Sequence, residues 1–261
     1  TAKVIGFDKI KNIAIFNWID GKSIIKINKK ILNDSINFVE SLSMIKDDKV
    51  YNISNAKESC LRISDIIIQI DNRLKLIRKS KNNKIKNFIK NNFLKIYSNS
   101  IKFAEKNLHP FNLNEDLDKA YQILSPSDFG FHNAIIKKNN EVCFVDFEYF
   151  GWDDPAKLIN DFMWHPGMTM TEKQKNFWVV KVISIFRSDK NLCDRVKATW
   201  PLYGLRWTLI ILKDVLKYNS ILENGKIIEL KEIEKLLQKQ LTKSKAIFQK
   251  ITNNNYICPH V

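Results

Sequence analysis

The chain has 261 residues, of which 44% are hydrophobic, enough for a sizeable core in one large domain or two small ones. Its 43 Lys and Arg residues outnumber its 28 Asp and Glu residues, giving a net charge of +15. The basic residues are spread thinly among apolar and acidic ones, which disfavours a nucleic-acid surface, and no apolar run reaches the ~18 residues of a membrane span.

The first predicted elements are two short strands, Val4–Phe7 and Ile13–Trp18, which form a hairpin around a turn at Asp8–Asn12. Gly21 ends this β unit. From Asn33 onward the apolar residues recur at three- and four-residue intervals, which predicts a helix.

Two long helices are predicted next. Apolar residues recur at helical spacing from Ile63 to Ile77 and again from Ile85 to Ala104. The Lys- and Asn-rich segment Lys79–Lys84 separates the two helices, and Pro110 closes the region.

The middle of the chain returns to β character. A loop at Ser125–His132 leads into a predicted hairpin of Asn133–Lys137 and Val142–Val145. A second loop, Asp146–Asp153, precedes a helix that starts at Asp154 and has a proline in its first turn.

The last part of the chain, Thr171–Lys250, is predicted to be helical, with its main break at Asn224-Gly225. No C-x-x-C pair is present among Cys60, Cys143, Cys193 and Cys258. These spacings fit neither a zinc site nor a disulfide framework, so they predict a reduced, cytoplasmic setting.

The stretch Ser125–Asp161 holds the residues best suited to chemistry. Asp128 and Asn133 bracket a loop that contains Gly130, and Asp146 stands at the end of a predicted strand. Because a hairpin joins the two loops, we expect Asp146 to lie near Asn133. An amide and a carboxylate that converge on one point form a hard oxygen site suited to Mg²⁺. The Asp128 carboxylate can accept a proton from a hydroxyl nucleophile.

The order Asp128-x4-Asn133, then a hairpin, then Asp146-Phe-Glu resembles the aminoglycoside phosphotransferase and choline kinase family of the protein-kinase-like fold. The resemblance implies that Asp128 is catalytic and that Asn133 and Asp146 bind Mg²⁺. It implies an α+β fold in which residues 1–20 end the N-lobe and residues 21–261 form a helical C-lobe.

The segment Asn12–Gly21 is similar to the last N-lobe strand of that family, running into the hinge. The resemblance implies that backbone groups of Asn17, Trp18 and Ile19 hold the adenine of ATP, with Phe16 behind it. No Gly-rich loop and no strand-borne phosphate lysine occur in the N-terminal residues, so the resemblance places both upstream of this sequence.

Several positions depart from the family pattern. The family usually has His two residues before the catalytic Asp, Gly just before that Asp, Gly before the Asn, and Asp in the following helix. The residues found here are Pro126, Ser127, His132 and Leu158, with Asp161 one turn after the last of them.

Other residues near the predicted site leave alternatives open. Glu148 could bind a second metal ion or a cationic acceptor, or be a solvated carboxylate. Tyr149 and Trp152 could line an acceptor pocket or belong to the core, and Asp153 could bind the acceptor or cap the next helix. His132 could shuttle a proton or have a structural role.

Together these features predict a kinase that transfers the γ-phosphoryl group of ATP, with Mg²⁺, to a hydroxyl of an amino alcohol, amino sugar or sugar-like acceptor. A catalytically inactive kinase-like binding protein is the alternative, because of the departures from the family pattern. A basic nucleic-acid-binding protein is a third interpretation, because of the +15 charge.

Overall fold

A computed structural model describes residues 1–11, 13–45, 52–80, 82–108, 112–223 and 230–261. The chain divides into two compact units. The first comprises Thr1–Ser59, Tyr121–Asp189 and His260, and the second comprises Cys60–Ala120, Lys190–Pro259 and Val261. The breaks predicted at Pro110 and Asn224-Gly225 lie outside the described residues.

The first unit begins with the antiparallel strands β1 (Val4–Asp8) and β2 (Ile13–Phe16), which confirms the predicted hairpin. Strand β3 (Gly21–Ser23) and helix α1 (Lys29–Ser43) follow. The helix starts earlier than the apolar spacing predicts because the Asn28 side chain caps it, accepting a hydrogen bond from the third residue of the helix at 2.9 Å.

The remaining elements of this unit are β4 (Ile123–Ser125), β5 (Ala134–Lys137), β6 (Val142–Phe144), β7 (Gly151–Asp153), α5 (Pro155–Trp164) and α6 (Glu172–Ile185). Strand β5 pairs antiparallel with both β3 and β6, which confirms the predicted second hairpin. Strand β4 pairs with β7, which lies inside the segment predicted as a loop. Strands β3 and β7 have only three residues each, too few to show a period along the sequence.

An aromatic cluster forms the core of this unit. Phe38 of α1 contacts Phe129 and Phe144, with ring centroids 5.6 and 4.7 Å apart. Phe162 of α5 stacks on Trp178 of α6 at 3.9 Å. The loop that carries Asp128 is therefore backed by a rigid apolar layer, since Phe129 belongs to it.

The second unit is helical. It contains α2 (Ile63–Ile77), α3 (Asn83–Phe88), α4 (Leu94–Asn107), α7 (Leu192–Glu223) and α8 (Leu230–Asn253). A π turn at Ile89–Phe93 joins α3 to α4, so the helix predicted from Ile85 to Ala104 is continuous in the structure. Buried Arg206 of α7 donates a hydrogen bond to Gln69 of α2 at 2.8 Å. In the described part of the chain, no helix has the length and apolar character required to cross a membrane.

Gly151 lies where two backbone segments approach closely, and its replacement by alanine is expected to destabilise the first unit. A Cβ at Gly151 would lie 2.4 Å from the backbone nitrogen of Ala56 and 2.4 Å from the backbone oxygen of Ser54. Backbone atoms cannot move aside as a side chain can, so we expect a cost of about 1–3 kcal/mol in the free energy of unfolding. Gly6→Ala is the matched control, because nothing lies within 4 Å of its added Cβ. Equal urea midpoints for the two variants would contradict this close packing.

Candidate active site

The hairpin of β5 and β6 brings the ends of the two predicted loops together. Ala134 pairs with Phe144 in the strand register. The next backbone contact is a hydrogen bond from the Val145 N–H to the Asn133 carbonyl oxygen, at 3.0 Å. Asp146 follows directly in the chain, so Asn133 and Asp146 leave the same end of the hairpin.

Asn133 also holds Asp128. The Asn133 side-chain nitrogen Nδ2 donates to the Asp128 backbone oxygen at 3.0 Å and to its carboxylate oxygen Oδ2 at 3.3 Å. With Nδ2 used in this way, the amide oxygen Oδ1 is the atom that Asn133 can offer to a cation.

His132 contacts the other oxygen of the same carboxylate. Its Nε2 lies 3.2 Å from Asp128 Oδ1. This hydrogen bond lowers the pKa of Asp128 against the opposing effect of burial, and the charge of His132 and the hydrogen bond from Asn133 act in the same direction. The Asp128 side chain is 40% exposed. It is therefore an ionised, accessible carboxylate at neutral pH.

The His132 ring stacks on that of His165, with centroids 3.9 Å apart and planes within 5°. His165 also accepts a hydrogen bond at Nδ1 from the Gly167 N–H, at 3.0 Å. The neutral form of His165 is thereby used as an acceptor, and its ring packs on that of His132.

Acid is expected to destabilise the protein through His165. Burial, with the neighbouring His132 charge, lowers the pKa of His165 to about 4 from its ordinary 6.5. The unfolded chain takes up the proton first, so this part of the stability is complete above pH 6.5 and is lost as the pH falls toward 4. Between pH 8 and pH 5 the loss should be on the order of 2 kcal/mol. Urea unfolding at the two pH values measures it. His165→Gln should lack this part of the pH dependence, and an equal loss in both proteins would contradict the assignment.

Two residues of the loops at the candidate site have left-handed backbone conformations. Ser127, just before Asp128, has φ +64°, and Asp146 has φ +65°. Such values are uncommon for residues other than glycine and concentrate at functional sites. At Ser127 the family pattern usually has glycine, which adopts this conformation without cost.

Ser127 is held in place by its hydroxyl group. Oγ accepts a hydrogen bond from Lys157 Nζ at 3.0 Å and donates one to the Lys57 backbone oxygen, also at 3.0 Å. Lys157 is itself buried, with its Nζ 2.8 Å from Asp153 and 3.5 Å from Asp161. The residue before Asp128 is thus tied to an internal ion-pair cluster.

The structure does not bring Asp153 to the site surface. Its side chain is 0% exposed and is occupied by Lys157, so it cannot contact an acceptor without breaking a buried ion pair. The capping alternative applies to its neighbour Asp154, whose side chain accepts a hydrogen bond from the Ala156 N–H at 2.8 Å.

Tyr149 lies near the candidate carboxylates. A hydrogen bond to Glu148 raises the pKa of its phenol, and the charges of Glu148, Asp128 and Asp146 act in the same direction. Trp152 lies in β7, where its backbone pairs with Leu124. Of Tyr149 and Trp152, Tyr149 is therefore the one whose phenol is affected by the charges of Asp128 and Asp146.

A cavity of about 810 Å³ lies beside strand β3 and the residues that follow β6. All four predicted nucleotide-binding residues line it: Phe16, Asn17, Trp18 and Ile19. Asp146 and Glu148 line the same cavity. The structure thus brings the predicted hinge and two of the predicted metal ligands to one cavity large enough for a small-molecule ligand.

Several contacts around the site were missed by the sequence reasoning. Lys22 lines the cavity and Lys57 contacts Tyr149. Lys157 and His165 hold residues of the loop that carries Asp128. In a chain this rich in lysine, single lysines carry no signal. Only the placement of Lys157 one turn before Asp161 and four residues after Asp153 could have suggested an ion pair.

No family model matches the chain, and no curated protein matches it. Solved structures do match along nearly its whole length. An ethanolamine kinase from Plasmodium vivax has a TM-score of 0.54 at 15% identity, covering 95% of this chain and 68% of its own. A choline kinase from Cryptosporidium parvum Iowa II has a TM-score of 0.56 at 11% identity, covering 98% and 75%.

The aminoglycoside phosphotransferase APH(4)-Ia has a TM-score of 0.52 at 13% identity, covering 90% of this chain and 71% of its own. These likenesses confirm the predicted α+β, protein-kinase-like fold.

Proposed function

We propose that this chain is an ATP-dependent kinase that transfers the γ-phosphoryl group to a hydroxyl of a small acceptor. The acceptor is an amino alcohol, an amino sugar or a sugar-like molecule. One observation carries the proposal: Asn133, which holds Asp128, and Asp146 leave the same end of a hairpin, and Asp146 lines a cavity of about 810 Å³ that the predicted hinge residues also line. The fold, shared with choline, ethanolamine and aminoglycoside kinases, supports the same class of reaction.

On the donor side, residues 1–20 act as the end of an N-lobe and residues 21–261 as the C-lobe. The Asn17 N–H already donates to the Lys3 carbonyl oxygen at 2.9 Å, within the β1–β2 region. The adenine is therefore assigned to the backbone groups of Trp18 and Ile19, with Phe16 lining the same cavity.

Magnesium fits the donor atoms available. Asn133 offers its amide oxygen, and Asp146 and Glu148 offer carboxylates, all hard oxygen ligands of the kind Mg²⁺ prefers. These residues would hold Mg²⁺, which would supply positive charge against the phosphates of ATP. The cavity position of Asp146 and Glu148 supports this assignment.

On the acceptor side, Asp128 orients the hydroxyl and takes its proton as the oxygen attacks. Its lowered pKa keeps it ionised at neutral pH, and its two oxygens are fixed by His132 and Asn133. The transfer is direct and in line, so no covalent enzyme intermediate forms. Tyr149 and Trp152 are assigned to the acceptor pocket.

Release of ADP that depends on both an acceptor and Mg²⁺ tests this function. The purified protein is given Mg·ATP and single acceptors drawn from amino alcohols, amino sugars and neutral sugars. We expect turnover with at least one acceptor and none in the Asp146→Ala variant. Bound ATP with no acceptor-dependent ADP from any member of the set would instead support the kinase-like binding protein.

The cysteines agree with the cytoplasmic setting that we assign to this kinase. All four are free, and Cys60, Cys143 and Cys258 are buried. Free buried thiols are typical of a reducing compartment.

A further inference from the structure

Lys57 is anchored directly between the two loops of the candidate site. Its backbone N–H donates to the Tyr149 carbonyl oxygen at 3.1 Å, and its carbonyl oxygen accepts from the Ser127 hydroxyl at 3.0 Å. Two further backbone hydrogen bonds, of 2.9 and 3.1 Å, join residues 54–56 to Trp152. The backbone of Lys57 is thus fixed to the residue before Asp128 and to the loop that follows Asp146.

The side chain of Lys57 lies over the ring of Tyr149. The distance from Nζ to the ring centroid is 4.3 Å, within the range of a cation–π contact. Tyr149 directly follows Glu148 and comes three residues after Asp146 in the same loop. Hydrogen bonding to Glu148, with the charges of Glu148, Asp128 and Asp146, raises the pKa of its phenol. A positive charge of the chain itself therefore occupies the face of the aromatic ring that shares the site with these carboxylates.

This position of the lysine bears on which acceptors can bind. An aromatic face is the usual recognition element for a quaternary ammonium group, but here it already carries an ammonium. A second cation about 4 Å from the first would lose about fivefold in affinity even with the full screening of water, and more at a partly buried surface. An anionic group would gain from the same charge, since a lysine ammonium is a compact donor for carboxylate and phosphate oxygens.

We propose that Lys57 determines acceptor specificity by binding an anionic group, a carboxylate or a phosphate, of the hydroxyl compound held against Tyr149. The proposal rests on the kinase function proposed above and narrows its acceptor to the sugar-like class that carries a negative charge. It selects against choline-like acceptors, whose cation would meet Lys57.

A set of small hydroxyl compounds that differ mainly in charge tests the proposal. The acceptors are choline, ethanolamine, glycerol, glycerate and glycerol 3-phosphate, and kcat/KM is measured by ADP release. Wild type is expected to prefer the anionic acceptors. Lys57→Glu should lower kcat/KM for the anionic acceptors at least about tenfold. It should raise the ratio of kcat/KM for choline to kcat/KM for glycerate by more than about tenfold. Lys173→Glu, an exposed lysine of α6, is the matched control and should change neither.

Either of two results would overturn the proposal. One is that choline is the best acceptor of wild type; the other is that Lys57→Glu prefers the same acceptor charge as wild type. Calorimetric titration of glycerol 3-phosphate into the protein with Mg·ADP separates this result from failure of the kinase function. Binding that Lys57→Met weakens at least about fivefold supports an anion site even where no ADP is released. Equal binding by wild type and Lys57→Met rejects the anion site even where turnover with a neutral sugar is seen.

Discussion

Replacing Asp128 with asparagine is expected to lower kcat for acceptor phosphorylation by about 10²- to 10⁴-fold. Asparagine has nearly the same shape and keeps one acceptor oxygen for His132 or Asn133, with an NH2 group in place of the other oxygen. It cannot take a proton from the acceptor hydroxyl. The KM for ATP should change little, since the ligands assigned to Mg²⁺ and the hinge remain in place. Steady-state ADP release, with ATP and acceptor varied in turn, measures both quantities.

Asp116→Asn is the matched control for this prediction. Asp116 is a 78% exposed carboxylate with one ion-pair contact, to Arg62 at 3.5 Å, so the same chemical change there should leave kcat unaltered. An Asp128→Asn variant with wild-type kcat would remove Asp128 from the reaction. A loss confined to the KM for ATP would assign it to nucleotide binding instead.

Substituting His132 gives a result that can be compared with the loss of the Asp128 carboxylate, because His132 contacts that carboxylate. It holds Oδ1 of Asp128 while Asn133 holds Oδ2, so the carboxylate keeps one partner when either is removed. The two sequence interpretations of His132 differ in what a substitution does. A structural role makes the loss of the ring a smaller effect than the loss of the Asp128 carboxylate, whereas a proton shuttle makes the two losses comparable.

Local sequence signals predicted the part of the site that depends on neighbours in the chain. The hairpin between Asn133 and Asp146 follows from two apolar runs separated by a turn at Asn139-Asn140, and its pairing fixes where both functional residues emerge. The order and spacing of the polar residues then suffice to place an amide and a carboxylate at one end of it. Strand β2 could be predicted from its sequence because it is a short run of four apolar residues after a turn.

The contacts that fix the loops could not be predicted, because they join segments far apart in sequence. Strand β3 is defined by its pairing with β5, more than a hundred residues later, as in Gly21 opposite Lys137. Residues 54–57 pair with the loop around Gly151, and nothing in either segment alone indicates the other. For Asp153, the sequence is compatible with either an exposed or a buried side chain. In the structure the side chain is buried in an ion pair with Lys157.

The loop that carries Asp128 also shows how this chain accommodates its departures from the family pattern. Pro126 and Leu158 replace two polar residues of that pattern, and both are buried. In this chain the polar connection from α5 to the loop runs instead through Lys157 to the Ser127 hydroxyl. The loop is therefore still anchored to helix α5. The anchor is made by Ser127 and Lys157, which are the chain neighbours of Pro126 and Leu158.

Lys157→Met is expected to lower the free energy of unfolding by about 3–5 kcal/mol, the range found when one partner of a buried ion pair is removed. Lys157 and Asp153 have side chains that are 1% and 0% exposed, so the substitution leaves a buried carboxylate without its cation. The same change removes the hydrogen bond to Ser127, next to Asp128. Urea unfolding gives the stability, with exposed Lys173→Met as the matched control.

The double variant Asp153→Asn with Lys157→Met keeps this prediction testable if the single variant does not fold. It removes the uncompensated charge together with its partner, so it should be more stable than Lys157→Met alone even though it lacks more polar contacts. A double variant that is less stable than wild type by the sum of the two single-variant losses would show that Lys157 and Asp153 act independently. Lys157 is assigned two roles: it compensates the charge of Asp153, and it positions Ser127 next to Asp128. A double variant that recovers stability but not kcat would separate these two roles.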